Sequence, residues 1–313
     1  MSGGTGGSHT TRPLGFIAVC IAILCFSLGS TVVKKAGIPG PTMAFWRMLL
    51  TSALWWSILW ATEHRIPSWA DLRRALVPGI VFGVNITLFF TGVTKTSVAN
   101  AEFIGALTPL ILVPAGAILY KEKVNGRALW FGLISLVGLA IVLFNVPANG
   151  PATWSGNVIV FGAMLLWATY LLTSRRLRAT MSVQMIMASI VPIAAIAVFP
   201  IALVRGELDD VTMSSVPYIV LLAVLTGTGA HGLIVFAQKT IPVGTIGLMQ
   251  VAQPAIAVLW AYLLLDQTIV PIQLVVMALV VIGLVAVVTI TRRAAANEAA
   301  ALILQDDQRA GIV

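Results

Sequence analysis

Two ionisable side chains stand inside otherwise apolar sequence. Arg47 is the single charge in TMAFWRMLLTSALWWSILW, residues 42–60, and Glu102 is the single charge in SVANAEFIGALTPLILVPAGAILY, residues 97–120. If each run is a membrane helix entered from the same side, both groups lie five residues in, about 7–8 Å at 1.5 Å per residue. A guanidinium and a carboxylate at one depth can pair across a helix bundle, or bracket the carboxylate and amine of a zwitterionic solute. The alternative is that Arg47 snorkels to the headgroups and Glu102 faces water. An isolated charge at mid-helix costs about 2.5–3.5 kcal/mol on insertion scales, so each group needs an explanation.

Other polar groups recur at related depths. Pro109 and Pro254 each remove a backbone donor and leave the carbonyls of Gly105 and Gln250 without helical partners. At membrane depth such carbonyls are tolerated where protein or a water-filled cavity satisfies them. Glu102, Gly105 and Thr108-Pro109 fall on one helix face, and Gly247, Gln250 and Gln253-Pro254 take the equivalent places later in the chain. These stripes suit either a central pathway or hydrogen bonds that hold helices together. Asn85 sits near the middle of its run. His231 is the only histidine inside an apolar run, suited to packing or to proton relay near neutral pH. Trp167 answers Phe26 in the other half, for core packing or for stacking on a ligand. Cys20 and Cys25 read as packing residues. No residue spacing suggests a metal centre, and no Walker loop or other cofactor-binding feature occurs, so none is expected.

The elements that must position these residues follow from composition. Of 313 residues, 59% are hydrophobic and 10% charged, with a mean hydropathy of +0.99. Soluble chains run at about 45–50% apolar and roughly 25% charged, so this is an all-α integral membrane protein with a lipid bilayer as partner. Cutting at charge and Pro/Gly clusters gives ten spans of about the length a bilayer needs. They are roughly 14–33, 42–60, 75–94, 97–119, 126–145, 156–174, 182–203, 216–237, 242–264 and 270–290. The net charge of +8 reflects topology rather than nucleic-acid binding. Fourteen of the nineteen Lys and Arg fall in the termini and alternate loops, four fall in the other loops, and Arg47 lies within a span. The positive-inside rule then puts both termini in the cytoplasm of a multi-pass cell-membrane protein. Trp55, Trp56, Trp60, Trp69 and Trp130 read as an interfacial belt on that side.

The chain also resembles itself. TPLILVPAGAILYKEKVNGRALWFGLISLVGLAIVL (108–143) lines up without gaps on QPAIAVLWAYLLLDQTIVPIQLVVMALVVIGLVAVV (253–288), pairing Pro109 with Pro254 and Gly138 with Gly283. Lys95-Thr96 answers Lys239-Thr240, and Lys34-Lys35 answers Arg175-Arg176. The expected organisation is a disordered cytoplasmic tail at 1–13, five spans over 14–145, an extracytoplasmic linker at 146–155, five spans over 156–290, and a cytoplasmic tail at 291–313 that can form a short helix. An odd number of spans per repeat inverts the second half relative to the first, an arrangement used by transporters.

AFWR at 44–47, SVANAEFIGALTPLILVPAGAILYKEKV at 97–124 and PVGTIGLMQVAQPAIAVLWAYLLLDQTI at 242–269 together resemble the EamA family of the drug/metabolite transporter superfamily. The resemblance implies ten helices in two EamA repeats and transport of small metabolites, amino acids or drugs among them. In that family the fourth and ninth helices usually end at a Gly-Glu pair. Here the positions read Lys121-Glu122 and Leu265-Asp266.

The reading this supports is a secondary transporter, not an enzyme, with a small-molecule substrate held at the midplane and alternating access by rocking of the two halves. An amino acid or amphipathic metabolite suits the modest polarity of the pathway, and efflux is the expected direction. Proton coupling through Glu102 or His231, exchange and facilitation are all compatible with it, as are a monomer and a homodimer. A lipid or lipid-linked-sugar flippase of the same fold is the alternative. A structural or sensory membrane protein and a membrane enzyme fit less well, because the acids in the loops are scattered.

Overall fold

The computed structural model describes the backbone of residues 7–145, 152–205 and 208–309, and among these the chain is helical with no strand. Helix α1 (Gly7–Ser27) and α2 (Gly29–Ala36) form a first tract interrupted at Leu28. Then follow α3 (Gly40–Glu63), α4 (Trp69–Lys95), the pair α5 (Val98–Gly105) and α6 (Pro109–Tyr120), and α7 (Gly126–Asn145). The second half repeats this plan. It has α8 (Trp154–Arg178), α9 (Val183–Val204), and a tract in which α10 (Val216–Leu221) and α11 (His231–Ala237) flank a π-helical stretch, Leu222–Ala230. The pair α12 (Val243–Gln250) and α13 (Gln253–Leu265) precedes α14 (Pro271–Arg309).

Eight helical tracts among the described residues are long and apolar enough to cross a membrane. The apolar stretch Gly126–Ile141 of α7 is shorter. Helix α3 spans 24 residues, but its four tryptophans and Arg47 make it less apolar. Helix α1 begins at Gly7, so 7–13 of the segment expected to be a disordered tail are helical, and residues 1–6 lie outside the described residues. Most of the expected linker, 146–151, also lies outside them. The tail after 290 continues α14 without a break as far as Arg309.

Helix starts are set locally. Ser68, Ser97, Thr153 and Ser182 each accept a backbone N–H from three residues on, and Ser68 with Asp71 closes a full capping box. The two halves also share a stop signal. Lys121 and Asp266, paired by the gapless alignment, are both left-handed, at φ 54° and 53°. The amides after them turn back to the carbonyls of Gly116 and Ala261, also an aligned pair. Such a stop satisfies carbonyls that the last turn would leave open.

Packing is symmetric under exchange of the halves. The first tract lies on the tract of α10 and α11, and α4 lies on α8, which is the same pairing with the halves swapped. Three further pairings are each their own counterpart, α3 on α9, α6 on α12 and α7 on α14, and α4 on α9 answers α3 on the π-helical stretch. The core between them is aliphatic and small (Val19, Ala22, Ile23, Ala163, Ile190, Ala194, Val198 and Ile234 are all buried), so backbones come close.

One ionic feature breaks the symmetry. Glu122 accepts from Arg175 Nε at 3.2 Å and from the Val243 backbone N–H, at the start of α12, at 2.8 Å. Burial pushes its carboxyl above the ordinary glutamate range, against the pull of Arg175. The aligned position in the second half is neutral Gln267, and there Lys35 Nζ donates to the Leu264 carbonyl at 2.9 Å.

Gly83 on α4 faces α9 so closely that a Cβ would lie 2.6 Å from the Ala194 carbonyl oxygen, a backbone atom that cannot rotate away. Gly83→Ala is expected to lower stability by about 1–3 kcal/mol, seen as a lower melting temperature of the detergent-solubilised protein.

Candidate functional site

A cavity of about 110 Å³ lies at the centre of the bundle, walled by α1–α5, α8, the π-helical stretch, α11, α12 and α13. Arg47, Asn85, Glu102, Gly105, Trp167, His231, Gln250 and Gln253 all line it. Thr108, Pro109 and Pro254 do not; they are buried in and beside the two helix breaks.

The breaks place the carboxylate. Residues 106–108 form a turn between α5 and α6, with 3₁₀-type bonds from Leu107 N to Ile104 O and from Thr108 N to Gly105 O, both at 3.1 Å. The Gly105 carbonyl expected to be free is therefore occupied, and the Thr108 hydroxyl also donates to it at 2.6 Å. Residues 251–252 form the matching turn between α12 and α13. The repeat-related stripes meet at these turns: Gln253 Nε2 donates to Glu102 Oε2 at 2.8 Å. Gln250 Oε1 accepts from Trp167 Nε1 at 3.4 Å, and Asn85 Nδ2 is held by the Ala163 carbonyl at 2.7 Å. Glu102 is 2% exposed; the Ser30 hydroxyl stands beside its carboxyl, but its second oxygen, Oε1, makes no well-formed hydrogen bond.

Arg47 is 1% exposed, so it does not snorkel. It makes no ion pair with Glu102 either, and its burial has a different basis from the one the sequence suggests. Its Nε donates to the Leu222 carbonyl at 3.4 Å, its guanidinium carbon lies 5.5 Å from the centroid of the Phe90 ring, and Nη1 has no partner. The Leu222 carbonyl belongs to the π-helical stretch, where Thr-Gly-Thr-Gly at 226–229 brings threonine hydroxyls to the backbone carbonyls as further donors. Thr226 Oγ1 donates to Leu222 O at 2.7 Å and Thr228 Oγ1 to Ala223 O at 3.0 Å. Side chains at four-residue intervals on α3 dock here. After Arg47 come Thr51 Oγ1 to Ala223 O and Trp55 Nε1 to Gly227 O, each at 3.4 Å.

His231 is enclosed by rings. Phe82 and Phe26 lie 4.6 and 4.7 Å from its ring centroid and Trp167 lies 5.5 Å away, all edge-on, while Nδ1 has no partner. Trp167 also stacks on Tyr170, and Tyr170 on Phe82. Sequence reasoning missed Thr226, Phe89, Phe90 and Met164, which complete the wall. The Thr-Gly-Thr-Gly run was a usable signal for Thr226; nothing in the sequence separates the others from core residues. Trp55, read as part of the interfacial belt, is instead buried, whereas Trp56, Trp60, Trp69 and Trp130 are exposed as that belt requires.

Chemically, the cavity offers a carboxylate oxygen and a guanidinium nitrogen with no partner, amide groups from Gln250 and Gln253, and aromatic walls. Among the described residues no group of His, Cys, Asp and Glu could hold a metal ion.

The docking of α3 is open to test. A Cβ at Gly227 would lie 2.4 Å from Thr51 Oγ1 and 3.1 Å from its Cγ2. Gly227→Ala is expected to cost about 1–3 kcal/mol, and Thr51→Ala in the same chain to recover part of it. Thermal unfolding of the two single variants and the double variant measures this non-additivity.

Comparison with known proteins agrees with this architecture. The sequence profile of the EamA-like transporter family matches residues 13–144 and again residues 154–289. A protein of Helicobacter pylori (strain J99), named an uncharacterized transporter, is 26% identical over 138 residues, which is 43% of this chain and 46% of that protein. The match thus spans less than half the length of that relative. A solved crystal structure superposes on 90% of this chain and 99% of its own with a TM-score of 0.74 at 19% identity, a likeness of fold. With both halves matched in turn, the chain is a membrane protein that belongs to the EamA-like transporter family.

Proposed function

We propose that this protein is a secondary transporter that binds a small zwitterionic or amphipathic metabolite, such as an amino acid, in the central cavity. It exposes the solute to each side by rocking its two halves, and efflux is the favoured direction. In this reading α3 and α7 cross the bilayer along with the eight more apolar tracts. The ten spans form two inverted five-helix repeats, and both termini lie in the cytoplasm, as the distribution of Lys and Arg favours.

The observation that carries the reading is the pair Arg47 and Glu102. They are unlike charges on different helices, both buried and both on the wall of one cavity, yet each keeps an atom unpartnered. A buried polar atom without a partner costs about 1–3 kcal/mol, more when charged. A solute carboxylate at Arg47 Nη1 and a solute ammonium at Glu102 Oε1 would remove both penalties at once. The rings of Phe26, Phe90 and Trp167 would cover its apolar part. Proton coupling would fall to Glu102 or His231, the titratable cavity groups besides Arg47.

Metabolite profiling of cells with and without the protein identifies solutes to assay, and uptake into liposomes with and without a pH gradient reads flux and coupling. Glu102→Gln and Arg47→Leu are each expected to cut uptake roughly tenfold, and the double variant no further, a coupling within the range of about 0.5–3 kcal/mol seen for neighbouring residues. Strictly additive losses would refute the shared site.

A further inference from the structure

A second and larger space, about 760 Å³, opens beside the loop that joins α8 to α9. Arg178 and Lys239 stand on its wall, with Ser182 and Gln184 at the start of α9, while Trp55 and Phe236 form its apolar side. It lies at the helix ends that carry Arg175, Arg176 and Arg178.

This hollow and the central cavity share two elements, in the same order. On α3, Arg47 lines the cavity, Thr51 is buried, and Trp55 lines the hollow. Arg47 and Trp55 are eight residues apart, about 12 Å along the helix. On the facing tract, Thr226 and His231 line the cavity, while Leu233 and Phe236 line the hollow. On α3 the Trp55 indole is the residue of the hollow's wall nearest along the chain to Arg47. It is 5% exposed, its Nε1 donates to the Gly227 carbonyl at 3.4 Å, and its ring occupies the place where a Cβ at Gly232 would be. That Cβ would meet two ring carbons at 2.7 and 2.8 Å. The backbone of α11 is therefore a flat seat for the ring.

We infer that the hollow is the mouth of the solute pathway on the basic-loop face, and that the Trp55 indole is the door between this mouth and the central cavity. This rests on the transporter reading above, since a pathway needs a solute site to lead to. The door holds by a single hydrogen bond and by ring-on-backbone contact, both made to glycines, so that no neighbouring side chain on that seat has to move with it. One turn nearer Arg47 on α3, the Thr51 hydroxyl donates to the Ala223 carbonyl at 3.4 Å.

Thiol labelling tests the door without requiring flux. In a background carrying Cys20→Ser and Cys25→Ser, Thr226→Cys places one thiol on the cavity wall. The impermeant reagent 2-sulfonatoethyl methanethiosulfonate is then applied to sealed membrane vesicles of either orientation. Trp55→Ala is expected to speed labelling at least tenfold from the face bearing Arg178 and Lys239, leave the rate from the other face unchanged, and be partly reversed by Trp55→Phe. Gly232→Ala, whose methyl displaces the ring from its seat, is expected to act in the same direction and serves if Trp55→Ala does not fold. Elution profile and melting temperature identify the folded variants. An unchanged rate in a folded variant overturns the door, and so does equal acceleration from both faces. Because labelling depends on no solute, this result stands apart from the uptake measurements that decide the transporter reading.

Discussion

A guanidinium buried among apolar helices has to be satisfied by protein or by what the cavity beside it holds. Arg47 meets part of this demand through the carbonyl of Leu222 and the face of Phe90, not through an acid, and keeps Nη1 open. Much of the site follows from that choice. That carbonyl lies in the π-helical stretch across from α3. This stretch draws Thr51 and Trp55 into the same contact. Glu102, released from pairing with Arg47, is held from its other side by Gln253 and faces the cavity with one oxygen open.

The parts of this arrangement that sequence reveals are those set by single residues or by long patterns. Composition and the runs of apolar residues gave the all-helical membrane class, and the spacing of Pro109 and Pro254 gave the two broken helices. The polar residues of both broken helices were visible because lipid penalises them: Glu102, Gln250 and Gln253 do reach one cavity. What stayed hidden was set by partners distant in the chain. Nothing near Arg47 announces Leu222, 175 residues away. Trp55 belongs by type to an interfacial belt, and only the bare backbone of Gly232 makes it a buried ring. The Gly105 carbonyl is paired because the chain tightens into a 3₁₀ turn after it, a local adjustment that a count of missing donors does not anticipate.

The repeat is closer in backbone than in chemistry. Lys121 and Asp266 adopt the same left-handed stop although their charges are opposite. Conformation there is fixed by the need to end a helix, and the side chain is free to differ. One position later the difference has an effect. Glu122 binds Arg175 and the first amide of α12, whereas Gln267 carries no charge with which to do the same. Two copies of one scaffold thus close their equivalent ends by different means, an ion pair with a helix cap in one half and a lysine-to-carbonyl bond in the other.

The wide turn beside α3 also changes which residues are neighbours. In a helix of ordinary pitch, residues five apart point about 140° away from each other. A π-turn, bonding each amide five residues back, brings them nearly into line, and the His231 amide does reach the Thr226 carbonyl. Thr226 and His231 are five apart and share one cavity, and Gly227 and Gly232 are five apart and share one indole. Tightening this tract to the common pitch with every residue kept would swing one member of each pair out of phase with the other. The imidazole and the threonine would then no longer look into the same space, with no charge altered and no side chain exchanged.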